Sequence, residues 1–339
     1  MKGRTIVLDR WQGREAAALL IDGRLDDLLI DDPDAPRPGA VFRAVCDRGM
    51  KGQGGMVLRL PEGGTAWLRH ATGLKVGETL LVQVTGAAEG GKAVPVTDRL
   101  LFKSRYAIVT PGAPGINLSR RIRDEEERAR ILSVAEGAME GPHGLILRSA
   151  CEGAAEEDVA EDIAAMRDLA AKILADEGRE PELLAEGDGP HLLAWREWDA
   201  PTVVTKPGGF EREGVAEQIE ALRRPEVDLG GAGMVVEATA ALVAVDVNTG
   251  GDSSPAAALK ANLAAARALP RQLRLQGLGG QVVVDFVTMS KAHRRQVEQS
   301  LRDALRADPV ETSPFGWTAM GLFEMTRKRE RVPIARLLG

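Results

Sequence analysis

The sequence is poor in cysteine, with only Cys46 and Cys151 among its 339 residues. The two lie far apart and neither belongs to a CxxC pair, which argues against a disulfide framework and against a cysteine-based zinc site. No apolar run reaches the roughly 18 residues that a membrane helix needs. Residues 1–14 mix charges through their apolar positions instead of forming a signal-peptide core. These absences predict a soluble, cytoplasmic protein without a membrane partner.

Histidine is also scarce, and its spacing excludes two kinds of site. The four histidines show no metal-ligand spacing, and no Ser-His-Asp arrangement is legible. We therefore expect structural or surface roles for His70, His143, His191 and His293.

The charges are segregated along the chain. The formal net charge is −6, but residues 123–188 hold 19 Asp/Glu against 7 Lys/Arg, or −12, so the rest of the chain carries −6 − (−12) = +6. The last fifty residues hold 10 Lys/Arg against 6 Asp/Glu, or +4. Because local fields matter more than the total, a nucleic-acid partner is permitted.

The first hundred residues are typical of β structure. A hairpin turn at Asp22-Gly23 predicts an antiparallel meander at the N-terminus. The proline- and aspartate-rich residues 31–39 predict a domain boundary. Short β-like runs with glycine-rich turns then predict a small barrel such as an OB fold. The predicted strands are residues 5–8, 16–21 and 26–30 in the meander, and 40–46, 55–60, 65–69, 78–84 and 93–96 in the barrel.

Helical spacing begins after the barrel. Residues 123–138 and 155–174 are predicted helices that carry most of the acidic excess, and residues 144–149 between them resemble a strand. Residues 177–189 are interpreted as an acidic linker. From His191 onward, alternating strands and helices predict an α/β domain with parallel pairing.

The strongest chemical signal is a pair of apolar strands that end in acids. Residues 241–248 (ALVAVDVN) end with Asp246 and Asn248, which share one face of a strand because they are two residues apart. Residues 281–286 (QVVVDF) contain Asp285 near their end. A helix capped by Ser254 and Pro255 joins the two strands, and Pro270 is expected to kink or divide it.

Strands joined by such a crossover are parallel, so the carboxyl ends of both meet at one edge of the sheet. If the strands are neighbours, Asp246 and Asp285 lie close enough to hold a cation between them. Mg²⁺ suits this site because it takes one or two carboxylates and leaves positions open for a phosphate oxygen. The alternative is structural, because an aspartate at a strand end also caps helices or binds a ribose hydroxyl.

The residues around these acids resemble the ribonuclease E/G family. The matching segments are ALVAVDVNTGG, LKANLAAARALPRQLRLQGLGGQVVVDFVTM and MGLFEMTRKR, with weaker likeness in MKGRTIVLD, GINLSRRI and HGLILRSA. The resemblance implies a Mg²⁺-dependent endoribonuclease that acts on single-stranded RNA. It also implies an S1-type OB barrel, a sensor of the RNA 5′ monophosphate and a DNase I-like catalytic subdomain.

Carried over by position, the resemblance makes Asp246 and Asp285 metal ligands and Asn248 a polar partner of the scissile phosphate. For the sensor it implies Arg148 and Ser149, whose guanidinium and hydroxyl suit a terminal phosphate. Ser104 and Ile108 belong to the opposing wall of that pocket. The alternative for Arg148 is a salt bridge to the neighbouring acidic helices.

Further RNA contacts are implied in the barrel and near the C-terminus. Trp67 matches an aromatic stacking platform and Lys92 a basic contact, although Val57 occupies a position that is usually aromatic. Trp67 as a half-buried core residue is the alternative. Arg327 and Arg329 belong to a basic cluster that is assigned to RNA binding, with a solvated C-terminal face as the alternative.

The implied layout is a multi-subdomain protein of mixed α+β and α/β class. Residues 1–37 form an N-terminal β meander of an RNase H-like part, and residues 38–98 the OB barrel. Residues 99–188 form the sensor region with the acidic helices, and residues 189–339 the catalytic domain with a reduced RNase H-like part. No CxxC zinc-link is present, so we expect a monomer or dimer and not a zinc-linked tetramer.

Three functions follow from these residues. The first is an endoribonuclease of RNA processing or decay. The second is an RNA-binding protein on the same scaffold whose cleavage has weakened with the shortened loops and the missing zinc-link. Residues 249–255 also have Gly-Gly-Asp where relatives tend to carry Arg or Lys, which predicts a weaker hold on substrate near the metal. The third is a nucleotide-binding α/β enzyme in which Asp246 binds a ribose.

Overall fold

The structure, a computed structural model, describes residues 3–50, 54–88, 91–139 and 141–338. The chain divides into two compact units: Met1–Asp32 together with Asp199–Gly339, and Pro33–Trp198. No helix in the described ranges is both long enough and apolar enough to cross a membrane.

The helices of the described residues are α1 (Glu125–Ala138), α2 (Glu156–Leu174), α3 (Pro190–Glu197), α4 (Gly209–Arg212), α5 (Val215–Ala221), α6 (Pro255–Leu275), α7 (Lys291–Ala307) and α8 (Ile334–Leu337). Short 3₁₀ turns occur at Pro61–Gly63 and Ser149–Cys151.

The strands are β1 (Arg4–Trp11), β2 (Arg14–Ile21), β3 (Arg24–Ile30), β4 (Val41–Met50), β5 (Gly55–Arg59), β6 (Thr65–Leu68), β7 (Thr79–Val84), β8 (Val94–Thr97), β9 (Phe102–Lys103), β10 (Ala107–Thr110), β11 (Gly115–Leu118), β12 (Gly144–Leu147), β13 (Glu182–Ala185), β14 (Thr202–Val204), β15 (Glu226–Asp228), β16 (Gly233–Ala238), β17 (Val243–Asn248), β18 (Gly280–Asp285), β19 (Thr312–Trp317) and β20 (Phe323–Arg327).

The N-terminal meander forms as the sequence predicts. β1, β2 and β3 pair antiparallel, and β14 joins β1 in parallel at the edge of the same sheet. Asp22 and Gly23 both have positive φ, 50° and 74°, which is the backbone of a tight hairpin turn. Asp and Gly tolerate that conformation, so these two residues fix the turn.

The predicted barrel is confirmed in the second unit. The strand order is β4-β5-β6-β8-β7, and β4 pairs with β7 to close the barrel. All pairs are antiparallel except β6 with β8. This closed five-stranded arrangement is consistent with an OB fold.

The predicted acidic linker contains a strand instead. β13 lies within it and pairs antiparallel with β4 of the barrel. The buried Arg43 of β4 binds Glu182 of this segment and Asp176 just before it, with Nη2 2.6 Å from Glu182 Oε2 and Nε 2.7 Å from Asp176 Oδ2. Asp176 and Glu182 thus neutralise the buried charge of Arg43. The sequence pattern did not predict that Arg43 is buried or that it forms ion pairs.

The acidic helices were predicted correctly. α1 and α2 pack on a four-stranded sheet with the order β11-β12-β10-β9. Asp124 caps α1 by accepting a hydrogen bond from the backbone N–H of Glu127 at 2.8 Å. Acidic side chains fill the first turn of both helices, where the helix dipole favours negative charge.

The largest sheet of the first unit is mostly antiparallel, contrary to the predicted parallel pairing. Its order is β15-β16-β17-β18-β20-β19, and β17 with β18 is the parallel pair. β15, β16 and β17 follow each other through short loops, as do β19 and β20, so they fold as hairpins. A helix crossover joins β17 to β18, which allows parallel pairing there.

Helix α6 is continuous, although Pro270 was expected to kink or divide it. It runs without a break from Pro255 to Leu275. A proline inside a helix costs about 3 kcal/mol. The apolar residues on both sides of Pro270, including Leu269 and Leu273, are fully buried in the core under the six-stranded sheet. Packing along the whole helix therefore outweighs the lost backbone hydrogen bond.

The assignment of Arg327 to RNA binding is not supported, because Arg327 is 2% exposed. Its guanidinium donates to Asp308 Oδ1 at 2.8 Å and to Thr312 Oγ1 at 2.9 Å. Arg274 also pairs with Asp308, and its Nη2 lies 3.2 Å from Asp26 Oδ2 on β3. The guanidinium of Arg327 therefore belongs to an ionic network that ties β20 and α6 to the N-terminal meander.

We predict that Arg327→Met destabilises the protein by about 3–5 kcal/mol, because it leaves the buried Asp308 carboxylate with less compensation. Urea denaturation measures the effect. Arg329→Met is the control, because this neighbouring arginine is exposed and its loss is expected to cost less than about 0.5 kcal/mol. An Arg327→Met protein of wild-type stability with weakened RNA binding would contradict the structural role.

Candidate functional site

The two central strands of the six-stranded sheet bury one face and expose the other. Asp246 and Asn248 of β17 and Asp285 of β18 are all exposed, on the face opposite the helices. This follows from the period of two in a β-strand. The alternate residues are valines buried in the core beneath α6 and α7: Val243, Val245, Val247, Val282 and Val284.

The register of these strands brings the two predicted acids together. Asp246 lies directly opposite Asp285 in the parallel pair. Adjacent strands are about 4.8 Å apart, so the two carboxylates are neighbours on one face. Asn248 joins them, because its Nδ2 donates a hydrogen bond to Asp246 Oδ2 at 2.6 Å.

These three side chains present oxygen ligands to solvent. Carboxylate and amide oxygens are the ligands of hard cations, and Mg²⁺ is commonly bound through one or two carboxylates with water completing its shell. The described part of the chain contains no cluster of three or more His, Cys, Asp or Glu side chains with metal-binding geometry. Asp246 and Asp285 form a candidate two-carboxylate site, a donor set that Mg²⁺ accepts.

The loop that leaves β17 is shaped by its own polar groups. Ser254 caps α6, as predicted, by accepting a hydrogen bond from Ala257 N at 3.2 Å. Asp252 accepts one from Ser254 N at 2.8 Å, and this bond holds the pKa of Asp252 below its usual value. Because the loop is short, α6 begins near the edge of the sheet at which β17 ends and Asp246 lies.

The loop that leaves β18 is held by a buried amide that sequence reasoning missed. Asn262 of α6 is fully buried, and its side chain bonds both backbone groups of Val287. Its Nδ2 donates to Val287 O at 2.8 Å, and its Oδ1 accepts from Val287 N at 3.0 Å. Val287 is two residues beyond Asp285, so Asn262 fixes the end of β18. The available signal was that Asn262 is the one amide within the alanine-rich residues 256–269.

The predicted sensor residues cluster around the four-stranded sheet of the second unit, β11-β12-β10-β9. Arg148 follows β12, and Ser149 begins the 3₁₀ turn after it. Arg148 Nη1 donates to the backbone oxygen of Ser104 at 2.6 Å. The buried hydroxyl of Ser104 bonds the Asp162 carboxylate, and Ile108 lies half-buried on β10. The structure thus joins Arg148 to the opposing wall.

The guanidinium of Arg148 is paired, but not with the acidic helices. Its Nη2 contacts Glu197 Oε2 at the end of α3, and its Nη1 lies 3.3 Å from the backbone oxygen of Arg196. Burial opposes the ionisation of Glu197, but the charges of Arg148 and Arg196 prevail and lower its pKa. The Glu197 carboxylate therefore occupies the position at which the Arg148 guanidinium would bind a phosphate.

The end of α3 is held against this region by a second arginine as well. Arg105 Nη1 donates to the carbonyl of Trp195, and its guanidinium lies 5.4 Å from the centroid of the Trp195 ring. Cations favour the C-terminal end of a helix, where carbonyl groups lack partners. Arg105 and Arg148 therefore dock α3 over the predicted sensor residues, which the sequence pattern did not reveal.

In the barrel, Trp67 is half-buried on β6, opposite Val57 of β5. Its ring lies against Gly55: a Cβ added to Gly55 would lie 2.2 Å from ring atom Cζ2. Gly55 therefore makes room for the ring. Lys92 is exposed before β8, and both roles proposed for Trp67 remain compatible with its partial exposure.

Arg329 is exposed and follows β20. Its guanidinium packs over Gly280 at the start of β18, where an added Cβ would lie 2.1 Å from Nη2 and where φ is +94°. Arg329 thus differs from the buried Arg327, and its head group lies on the surface at the end of the sheet away from Asp285.

A family model described as the ribonuclease E/G family matches residues 102–203 and 200–330. Ribonuclease G of Escherichia coli (strain K12) is 32% identical over 306 residues, which cover 78% of this chain and 62% of that protein. Ribonuclease E of Nostoc sp. is 31% identical over 306 residues, covering 77% of this chain and 44% of that protein. The chain thus spans less than two thirds of the length of these relatives.

We predict that Asn262→Leu destabilises the protein by about 2 kcal/mol or more, because two backbone groups of Val287 lose their partner. Thermal or urea denaturation measures it. Asn117→Leu, which replaces an exposed amide on β11, is the matched control and should stay within about 0.5 kcal/mol of wild type. Equal stability of the two variants would show that the Asn262 bonds do not secure the loop.

Proposed function

Because the chain belongs to the ribonuclease E/G family, we propose that it is an endoribonuclease that cleaves single-stranded RNA with the help of Mg²⁺. The observation that carries the proposal is the pairing of Asp246 with Asp285 across the parallel strands. Both carboxylates are exposed and lie in register, as a two-carboxylate metal site requires.

Asp246 and Asp285 are proposed as the ligands of the metal ion. Two carboxylates this close repel each other, so a divalent cation between them relieves an unfavourable contact. When bound, Mg²⁺ would polarise a phosphate oxygen and lower the pKa of a bound water. The protein's own part is to hold both carboxylates on a rigid sheet, so that little reorganisation is needed when RNA arrives.

Asn248 is proposed to orient the carboxylate of Asp246. Its Nδ2 already donates to Asp246 Oδ2, which leaves the other oxygen of that carboxylate for a cation. Contact between Asn248 and the scissile phosphate, the role implied by the family, requires the amide to rotate away from Asp246. We therefore assign Asn248 first to positioning Asp246.

The other parts of the chain are proposed to bind RNA on the family's pattern. The OB-like barrel would contribute Trp67 as a stacking surface and Lys92 as a cation. Arg329 supplies a further exposed cation on the first unit. The part of the chain that holds Asp246 and Asp285 is proposed to be DNase I-like.

Sensing of a 5′ monophosphate is proposed for Arg148 and Ser149. In the conformation described, Glu197 forms an ion pair with Arg148, so a phosphate would have to displace a carboxylate. Both anions use the same guanidinium fork. Glu197 would then compete with the RNA 5′ end for Arg148, so that a 5′ monophosphate displaces it and a 5′ hydroxyl does not.

We predict that Asp246→Asn lowers cleavage of an A/U-rich single-stranded oligonucleotide at least about 100-fold while the fold is kept. Electrophoresis of reactions with Mg²⁺ or EDTA measures it. Glu237→Gln is the matched control, because Glu237 is an exposed acid on the neighbouring strand β16, opposite Ala244. Equal cleavage by both variants would contradict the metal site, and RNA binding without any cleavage by wild type would favour a catalytically weakened RNA-binding protein.

We predict opposite effects from changes on the two sides of the Arg148 ion pair. Arg148→Gln should reduce the preference for 5′-monophosphorylated over 5′-hydroxyl RNA by about tenfold, since a charge-assisted hydrogen bond contributes about 1.5–3 kcal/mol. Glu197→Gln should increase that preference, because the competing charge is gone. Arg306→Gln, which breaks an exposed salt bridge within α7, is the control. An unchanged ratio of cleavage rates in both variants would remove the sensor from the proposal.

A further inference from the structure

The first turn of α7 carries an unusual charge. The helix begins at Lys291, Arg294 and Arg295 follow within one turn, and no acidic residue lies in that turn. The N-terminus of a helix is the positive end of its dipole, so cations there are unfavourable for the helix itself. The packing of α7 does not need these charges, because its buried residues are Val297, Leu301 and Leu305 further along.

The three cations lie on one face of the helix. Positions 291, 294, 295 and 298 have the i, i+3, i+4, i+7 spacing of a single helical face. Glu298 on this face accepts a hydrogen bond from Trp317 Nε1 at 3.1 Å. The guanidinium of Arg294 lies 4.9 Å from the centroid of the Trp317 ring. The basic face therefore borders the hairpin formed by β19 and β20.

The tip of this hairpin is apolar and exposed. Met320 is 86% exposed at the tip, and Phe315 on β19 is 69% exposed. Next to Met320, Gly321 has a φ of +90°, and a Cβ there would lie 3.1 Å from Arg294 Nη2. The glycine allows the guanidinium to lie close against the tip, so cationic and apolar groups are neighbours here.

This surface lies at the same edge of the sheet as the proposed metal site, on the side where α7 packs, while the carboxylates lie on the other face. Five residues, 286–290, join Asp285 to the start of α7. On the other side of β18, Phe323 pairs with Val284, so the tip that precedes Phe323 lies beside Asp285. The loop from Asp285 to α7 is fixed by the two bonds between Asn262 and Val287.

We propose that Lys291, Arg294, Arg295 and Met320 form a substrate-binding surface for single-stranded RNA beside the scissile phosphate. The three cations bind backbone phosphates, and Met320 contacts a base. The inference rests on the proposed endoribonuclease function and adds substrate-binding residues on α7 and on the hairpin of β19 and β20. Cations that are unfavourable for their own helix, next to an exposed apolar side chain, match the phosphates and bases of a single strand.

Salt dependence separates the two kinds of contact. Binding of a fluorescent A/U-rich oligonucleotide is measured by anisotropy in EDTA, so that no cleavage occurs, over a series of salt concentrations. Each phosphate contact to a single strand contributes about 0.7 to the slope of log K against log salt. Lys291→Gln/Arg295→Gln should therefore weaken binding and make the slope shallower by about 1.4. Both side chains are exposed, and circular dichroism checks the fold.

Two further variants complete the experiment. Arg224→Gln/Arg306→Gln removes the same charge from two exposed positions of the same unit outside the first turn of α7 and should keep the wild-type slope. Met320→Ser should weaken binding several-fold with an unchanged slope, because no charge is lost.

The outcomes distinguish this inference from the function on which it rests. If wild type binds RNA and Lys291→Gln/Arg295→Gln keeps its affinity and slope, the surface is overturned and the proposed function stands. Equal loss of slope in the Arg224→Gln/Arg306→Gln control also overturns it, since the effect would then be one of net charge. If Met320→Ser binds RNA with wild-type affinity, the proposed contact between Met320 and a base is excluded. Failure of wild type to bind single-stranded RNA overturns both proposals.

Discussion

The parallel pairing of β17 with β18 is the constraint on which the site depends. It is the parallel pair in a six-stranded sheet whose other described pairings are antiparallel. An antiparallel partner would carry the end of β18 to the opposite edge of the sheet, away from Asp246. The α6 crossover makes the parallel pairing possible, and the register then sets Asp246 against Asp285.

Buried polar contacts hold this arrangement rigid from beneath the sheet. Asn262 of α6 fixes the loop after Asp285 through both backbone groups of Val287. Further along the same helix, Arg274 joins Asp308 and the N-terminal meander through buried ion pairs. One long helix therefore connects the crossover, the core and the first strands, which explains why it remains continuous through Pro270.

Much of the fold and the centre of the site were predictable because they depend on local periodicity. The alternation of valines with Asp246, Asn248 and Asp285 fixes which face each side chain takes, and Asp22-Gly23 fixes its turn. The elements that were not predicted depend on distant partners. The burial of Arg327 requires Asp308 and Thr312, the strand β13 requires the edge of β4, and the ion pair of Arg148 requires α3.

The antiparallel sheet shows that strand direction, too, could not be predicted from the order of elements. A sequence that alternates strands and helices gives the order of elements, but the length of each connection decides whether neighbouring strands run parallel. Short loops in residues 225–250 and 312–327 make hairpins there. The second of these hairpins brings its tip, with Met320, beside Asp285, so the part of the fold that was mispredicted also supplies part of the proposed RNA surface.

The most direct test of the account is the binding of Mn²⁺, as a spectroscopic substitute for Mg²⁺, measured by electron paramagnetic resonance on wild type, Asp246→Asn, Asp285→Asn and Glu237→Gln. Wild type and Glu237→Gln are expected to bind the ion alike, and either aspartate substitution is expected to weaken binding strongly. Equal binding by all four proteins would contradict the claim that the parallel strands build a two-carboxylate metal site.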